Sequence, residues 1–274
     1  MTIDPARLLT LAVRLARQAG DLAYRMRSEA ASGSALQVDT KSTPTDVVTA
    51  ADRAVERLVL SELRRERPHD AILGEETGQH DVTDREESRV RWIVDPIDGT
   101  VNYLYGIPQY AVSLAVEVDG EVVAGVVRNP VTGQEWTAIA GQGAWRDGTR
   151  LTGSRCTDLS QALVATGFGY DAQRRAYQGE VIARLLPKVR DIRRFGSASL
   201  DLCMTAEGIF DAYFEKGLKA WDLAAGGLIA KEAGLQVTGL RGQPAGPDMT
   251  LAAPAALHQG LHDLLVELDA DGGP

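Results

Sequence analysis

The chain has little that would link it covalently or to a soft metal. Only two cysteines occur, Cys156 and Cys203, far apart and with no C-x-x-C spacing, so a disulfide framework and a cysteine-based zinc site are both excluded. Free thiols point to a reducing compartment, and a cytoplasmic location is expected. Of the four histidines, only His258 and His262 stand at a helical i, i+4 spacing. No Glu follows His258 and no third ligand is in view, so zinc is discounted there. Aromatic residues make up 5% of the chain, too few for a base-stacking platform, and Trp92, Trp136, Trp145 and Trp221 read as core or site-wall residues. Long apolar runs are missing too. The N-terminal stretch is interrupted by Asp4, Arg7, Arg14, Arg17 and Arg25, which suits neither a signal peptide nor a membrane span. Basic residues are outnumbered 29 to 38, giving a formal charge of −9, which argues against nucleic acid or an anionic membrane as the main partner. A phosphorylated substrate would also be repelled unless a bound cation neutralised the site.

What is present is the composition of an ordinary globular protein, 44% hydrophobic and 24% charged over 274 residues, enough for one large domain or two closely packed halves. Asp4-Pro5 offers a cap and first-turn proline for an amphipathic helix through Leu8, Leu11, Leu15, Ala19, Leu22 and Met26. A polar loop is expected from Ser28 to Ser42, and a second helix from about Asp46 to Arg67, stopped by Pro68. Ala71-Ile72-Leu73 reads as a short strand leading to Gly74-Glu75-Glu76, followed by an acidic loop to Glu87. From Tyr110 to Leu151, apolar runs separated by Asp119-Gly120, Asn129-Pro130, Thr132-Gly133 and Asp147-Gly148 indicate antiparallel hairpins. After Thr152, strands and helices alternate: strand Leu163 to Thr166, helix Arg174 to Val189, strand Ile192 to Phe195, helix Ser197 to Glu207 and strand Ile209 to Phe214. A helix then starts at Asp222 and closes at Gly234, before strand Thr250 to Ala253 and a last helix. Residues 1–151 thus form an expected α+β half and 152–274 an α/β half, packed as one unit without repeat or linker.

The most informative segment is Trp92 to Thr100, W-I-V-D-P-I-D-G-T, an apolar strand ending on Asp95 with a second acid, Asp98, in the turn beyond. Pro96 and Gly99 would equally serve a simple loop. Two acids at a strand end also make a cation site, and Gly99-Thr100 adds backbone N–H groups and a hydroxyl for a phosphate. Asp52, Glu75 and Asp222 stand at other element ends, where they could equally be an exposed helix residue, a loop charge and a plain N-cap. Converging carboxylates repel unless protons or cations intervene, and an all-oxygen donor set selects a hard ion, Mg²⁺ before Zn²⁺, with Mn²⁺ or Ca²⁺ as other occupants.

With G-E-E at Gly74 to Glu76, W-I-V-D-P-I-D-G-T, and W-D-L-A-A-G-G-L-I-A-K-E-A-G at Trp221 to Gly234, the chain resembles the inositol monophosphatase family of Mg²⁺-dependent, Li⁺-sensitive sugar phosphatases. D-V-V-T-A-A-D ending at Asp52, G-S-A at Gly196 to Ala198, and Glu215 add to the resemblance, which spans nearly the whole chain. It implies a layered αβαβα sandwich of the inositol monophosphatase/fructose-1,6-bisphosphatase type, in the α+β class, and a homodimer. It implies Glu75, Asp95, the Ile97 carbonyl, Asp98 and Asp222 as ligands of two or three Mg²⁺ ions, with Ca²⁺ and Li⁺ inhibitory. Asp52, Glu75 and Thr100 would be catalytic, Asp52 and Thr100 orienting and deprotonating a water. Asp98, Gly99, Thr100, Gly196, Ser197, Ala198, Glu215 and Asp222 would meet the substrate, expected to be an inositol monophosphate. Lys41 matches a family lysine beside a metal-binding loop. Val101, Tyr105 and Leu235 depart from the commonest pattern, and the first two bear on substrate preference. Alternative substrates are histidinol phosphate, fructose 1,6-bisphosphate or a 3′-phosphoadenosine nucleotide; a rival from another class is a metal-binding regulatory protein that retains the fold. Arg190, Arg193 and Arg194 read as a salt-bridged or interface surface group, not as a nucleic-acid site.

Overall fold

The computed structural model describes residues 3–31, 38–80 and 88–274. Helix α1 (Pro5–Ala31) is capped by Asp4, whose Oδ1 accepts the Ala6 N–H at 3.0 Å. It runs further than its apolar spacing predicts, taking in Ser28 to Ala31. Of the loop expected to reach Ser42, residues 32–37 lie outside the described residues, and Val38–Thr40 forms a strand, β1. β1 pairs with β2 (Val47–Thr49), so α2 (Ala50–Glu66) starts later than Asp46. Its start is a capping box: Thr49 Oγ1 accepts from the Ala51 and Asp52 N–H groups, and Asp52 Oδ2 accepts the Thr49 N–H at 2.8 Å.

The next strands form one eight-stranded sheet. In chain order they are β3 (Ala71–Gly74), β4 (Gly78–His80), β5 (Val90–Asp98), β6 (Ala111–Val118), β7 (Glu121–Arg128), β8 (Glu135–Ile139), β9 (Gly143–Arg146) and β10 (Thr149–Arg150). Their spatial order is β10-β9-β8-β7-β6-β5-β3-β4, antiparallel except for the parallel neighbours β3 and β5. The expected hairpins from Tyr110 onward are present. Part of the acidic loop to Glu87, residues 81–87, lies outside the described residues, while Gly78–His80 before it pairs back on β3. A short helix, α3 (Thr100–Tyr105), follows β5 where only a turn was expected.

A second sheet contains β11 (Leu163–Thr166), β12 (Asp191–Arg193), β13 (Ala212–Glu215), β14 (Gln236–Thr238) and β15 (Thr250–Ala253), in the order β12-β11-β13-β15-β14. Helices α4 (Ala172–Leu185), α5 (Ala198–Glu207), α6 (Ala220–Glu232) and α7 (Ala255–Glu267) complete the fold. α4 ends four residues before Val189 because the chain tightens into a 3-10 turn at Leu186–Lys188.

Strand alternation assigns each face to a layer. Trp92, Val94, Val112, Leu114, Val116, Ala124 and Val126 pack with α1 and α2, whereas Ile93, Ala111, Ala115 and Val127 face α5 and α6. From the other sheet, Ala165, Tyr213 and Ala252 join that central layer, while Val164, Ala212, Phe214, Leu251 and Ala253 face α4 and α7. The result is α1 and α2, sheet, α5 and α6, sheet, α4 and α7: the expected αβαβα sandwich. Close approach is needed at its centre, since a Cβ on Gly125 of β7 would sit 3.0 Å from Ala225 Cα of α6. No helix among the described residues is long and apolar enough to cross a membrane.

Candidate active site

The parallel pair β3 and β5 ends in the same direction, which brings Glu75 beside Asp95. β5 does more than stop at Asp95. Its pairing with β6 passes from Asp95↔Ser113 to Asp98↔Ala111, an extra residue on the β5 side. In regular strand, residues three apart face opposite sides; the bulge reverses that parity, so both carboxylates meet on one side. α6 delivers the third acid. It starts at Ala220, with Asp222 in its first turn and Oδ2 accepting the Lys219 N–H at 2.6 Å, so Asp222 is not itself the N-cap. Oxygen atoms of Asp95, Asp98 and Asp222 lie within 4.8 Å of one another.

This cluster is held by buried polar contacts. Asp98 accepts the Ser197 hydroxyl at 2.7 Å, the Ser199 hydroxyl at 2.5 Å and the Ser199 N–H at 2.7 Å, all from the start of α5. Asp95 Oδ1 accepts the Ile97 N–H at 3.1 Å. Burial pushes the Asp95 carboxyl well above the usual carboxylate range, helped by the charges of Glu75, Asp98 and Asp222. Asp222 is pushed well up by burial and then by Asp98, and Glu75 up by burial against the opposing effect of Lys41. Such a set is poorly matched to protein alone and well matched to a hard divalent cation, which would replace the protons.

Glu75 is clamped from outside by Lys41, whose Nζ lies 2.8 Å from Glu75 Oε1 and also reaches Glu76. Burial raises the Glu76 carboxyl to about 7, with the Glu75 charge adding to the rise and Lys41 opposing it. Beneath this turn is Glu56 on α2, fully buried, accepting the Glu76 and Thr77 N–H groups at 2.9 Å each and the Thr77 hydroxyl. Asp52, one helical turn earlier, is also fully buried. Its Oδ1 is 3.1 Å from Thr100 Oγ1, and its Oδ2 takes the Thr49 hydroxyl at 2.5 Å. The Thr100 hydroxyl is equally 3.1 Å from the Ile97 carbonyl, so its single proton has two possible acceptors.

A cavity of about 520 Å³ opens over the carboxylates. It is lined by Glu75, Asp95, Ile97, Asp98, Gly99, Thr100 and Asp222, together with Gly196, Ala198 and Glu215 from the substrate-facing set expected from sequence. Ser197 is not in the wall; its hydroxyl is turned to Asp98. Asp52 is behind the wall, reaching the cavity only through Thr100. Glu215 Oε2 accepts the Tyr213 hydroxyl at 2.7 Å, and burial raises its carboxyl to about 7. Its carboxylate lies over the backbone of Gly167, where a Cβ would come within 2.0 Å of Oε2.

Arg190 and Arg193 are tied down, to Gln161 and Asp191. Arg194 instead lines the cavity, with its guanidinium 5.9 Å from the Phe168 ring centroid. Val101 and Tyr105 do not line it, and Tyr105 is 75% exposed. Trp145 is an exposed residue on β9, whereas Trp92 and Trp136 are core and Trp221 is site wall. Nitrogens of His258 and His262 are engaged by Thr238, the Arg241 N–H and Asp263. Glu56 and Ser199 escaped the sequence reading. Glu56 was findable as the i+4 neighbour of Asp52 on the apolar face of α2; Ser199 carries no such signal.

A fold of stacked α and β layers with carboxylates converging at two parallel strand ends and a helix start defines a class of metal-dependent phosphatases. A family model described as "Inositol monophosphatase family" matches residues 4–270. The inositol-1-monophosphatase of Mycobacterium leprae is 46% identical over 272 residues, covering 94% of this chain and 93% of its own. The Nus factor SuhB of Escherichia coli K12 is 39% identical over 83% of each chain. Among solved structures, an extragenic suppressor protein SuhB from Bartonella henselae superposes with a TM-score of 0.87 at 35% identity, covering 94% of this chain and 98% of that one. A Thermotoga maritima IMPase superposes with a TM-score of 0.85 at 30% identity, covering 97% of this chain and 100% of that one. The chain belongs to the inositol monophosphatase family, and it is a phosphoric monoester hydrolase.

Proposed function

We propose that the protein hydrolyses a small phosphomonoester with Mg²⁺, most directly myo-inositol monophosphate, by in-line attack of water on phosphorus. The observation that carries this reading is the convergence of Asp95, Asp98 and Asp222 within 4.8 Å on the floor of a cavity that also presents Glu75 and Thr100. Glu75, Asp95, the Ile97 carbonyl, Asp98 and Asp222 would hold two or three Mg²⁺ ions, or Mn²⁺ in their place, with Ca²⁺ and Li⁺ inhibitory. When bound, the ions supply charge neutralisation for the phosphate and acidify the attacking water. The chain's own residues do the rest. Thr100 Oγ1 accepts a proton of the water and passes its own to Asp52 Oδ1, 3.1 Å away. The N–H groups of Gly99 and Thr100 orient phosphate oxygens. Gly196, Ala198 and Glu215 meet the alcohol, Glu215 accepting hydrogen bonds from neighbouring hydroxyls of a polyol. Ser197 serves by holding Asp98.

The mycobacterial relative's name favours an inositol phosphate, and the same wall would test histidinol phosphate, fructose 1,6-bisphosphate and a 3′-phosphoadenosine nucleotide as competitors. The name Nus factor on the enterobacterial relatives keeps a regulatory role in view. We place the protein in the cytoplasm, consistent with its free cysteines, as a homodimer. Exposed Tyr105, Ile107, Phe195 and Ile209 support the dimer, since Asn102 bridges to the Phe195 carbonyl and Phe195 packs on Phe210. The deciding experiment is a phosphate-release panel over these substrates with Mg²⁺, with chelator and with Li⁺. Release from inositol phosphate that is Mg²⁺-dependent and Li⁺-inhibited is expected. Preference for histidinol phosphate would overturn the substrate, and no turnover of any monoester would overturn the enzymatic reading.

A further inference from the structure

Between Glu215 and Asp222 the chain makes a short turn, Lys216 to Lys219, that borders the cavity. Lys216 follows Glu215 directly and borders the same cavity. An ammonium group there would be an obvious partner for a substrate anion, but it is already occupied. Its Nζ lies 3.0, 2.7 and 3.1 Å from the carbonyl oxygens of Asp271, Gly272 and Gly273, which matches its three N–H donors to three acceptors. Arg174 of α4, also in the cavity wall, donates from Nε to the Pro274 main-chain oxygen at 3.0 Å.

The 271–274 segment is itself built for this contact. Asp271 is paired with Arg241, its Oδ2 3.1 Å from Nε, and Tyr177 Oη lies 2.8 Å from both Asp269 O and Oδ2. The segment then crosses the Tyr177 ring so closely that only glycine fits. A Cβ on Gly273 would sit 2.7 Å from Tyr177 Cγ, at a φ of +73°, and one on Gly272 would sit 2.8 Å from Tyr177 Oη. On the other side, the Gly217 N–H donates to the Pro247 carbonyl at 2.7 Å, and a Cβ on Gly217 would meet Arg174 Nη1 at 2.9 Å. Segment 271–274, Arg174, Lys216 and Gly217 are therefore one continuous set of contacts.

We propose that Lys216 is a positioning residue: residues 271–274 act as a strap that, through Lys216 and Arg174, holds residues 216–219, the turn that joins Glu215 at the end of β13 to α6, and so sets Glu215 relative to Asp222. The inference rests on the roles given above to Glu215 and Asp222. Without the strap the ammonium would be free to turn toward the carboxylates and the loop would lose its outer support.

The test compares Lys216→Met, Lys216→Arg and Gly273→Ala with the full wild-type chain. The first readout is amide hydrogen exchange in metal-free protein, which needs no substrate. Lys216→Met and Gly273→Ala are each expected to speed exchange at residues 216–219 at least tenfold while leaving β6 and β7 unchanged, and Lys216→Arg to restore most of the protection. The second readout is the Michaelis constant for myo-inositol 1-phosphate, expected to rise about tenfold in Gly273→Ala with kcat changed less. Unchanged exchange at 216–219 in Gly273→Ala would overturn the proposal, as would faster exchange spread evenly over the whole second sheet. If Lys216→Met does not fold, Gly273→Ala decides by the same criteria. Absence of turnover in wild type would refute the substrate reading alone, because the exchange result stands apart from it.

Discussion

Replacing Asp95 by Asn separates stability from function in opposite directions. The carboxylate oxygens of Asp95, Asp98 and Asp222 lie within 4.8 Å of one another, so each ionised pair repels by about 3 kcal/mol at an effective dielectric near 20. Part of that cost is avoided by retaining protons, as the raised Asp95, Asp98 and Asp222 carboxyls indicate. A realised relief of roughly 1–3 kcal/mol on removing one charge is expected, since Asn keeps the oxygen that accepts the Ile97 N–H. At about 2–4 °C per kcal/mol for a chain of this size, metal-free Asp95→Asn should melt roughly 2–12 °C above metal-free wild type. The sign with pH follows from linkage. A carboxyl whose folded pKa is raised contributes stability at low pH that is lost as pH rises through that folded value, so the advantage of Asn should be greatest at neutral pH and fade toward pH 4. With Mg²⁺ the order should invert: wild type gains stability by binding, about 2.7 kcal/mol at a hundredfold excess over Kd, and the variant gains little. Phosphate release should fall by orders of magnitude. The assay is a pair of thermal melts, with chelator and with Mg²⁺, beside an activity measurement. A metal-free variant that melts below wild type and still responds fully to Mg²⁺ would refute the electrostatic reasoning.

Glu56→Gln should lower stability by about 1–3 kcal/mol and weaken Mg²⁺ binding, because one carboxylate now receives two N–H groups and a hydroxyl under the Glu75 turn; calorimetric Mg²⁺ titration with unchanged affinity would count against it. Gly167→Ala would place a methyl 2.0 Å from Glu215 Oε2, so the Michaelis constant for an inositol phosphate should rise about tenfold, roughly 1.4 kcal/mol, with kcat less affected. An unaltered constant would separate Glu215 from the substrate. His258 is held below the usual imidazole range by burial and by His262, so its contribution to stability is present above pH 6.5 and lost as pH falls through its lowered folded value. Accordingly, denaturant midpoints of His258→Gln should fall less than those of wild type between pH 7 and pH 5; parallel curves would remove His258 as a contributor.

The order of strands and helices and the acids at their ends were legible in the sequence because they depend on local pattern, whereas the layering came from the family resemblance. β5 is buried on both faces, so its apolar run does not say which side chain meets which helix, but Asp95, Glu75 and Asp222 stand at element ends that chain order alone can locate. The parity change between Asp95 and Asp98 was not legible, because a bulge depends on how a neighbouring strand pairs. The same holds for Ser199, which reaches Asp98 across about a hundred residues, and for Lys216, whose acceptors come from residues 271–273. The family resemblance sets Ser197 against the substrate, whereas its hydroxyl is used to hold Asp98. Val101 and Tyr105 differ from the family pattern but stand outside the cavity wall, so Arg194 and Glu215, which are in it, are the better candidates for deciding which alcohol fits.

The central claim is that these carboxylates make a cation-dependent phosphatase. Its most direct test is phosphate release from myo-inositol 1-phosphate by chelator-treated protein as Mg²⁺ is added back. No release is expected without Mg²⁺, saturable recovery with it, and no recovery in Asp222→Asn at the same concentrations. Release that persists in chelator, or that returns equally in Asp222→Asn, would contradict the claim.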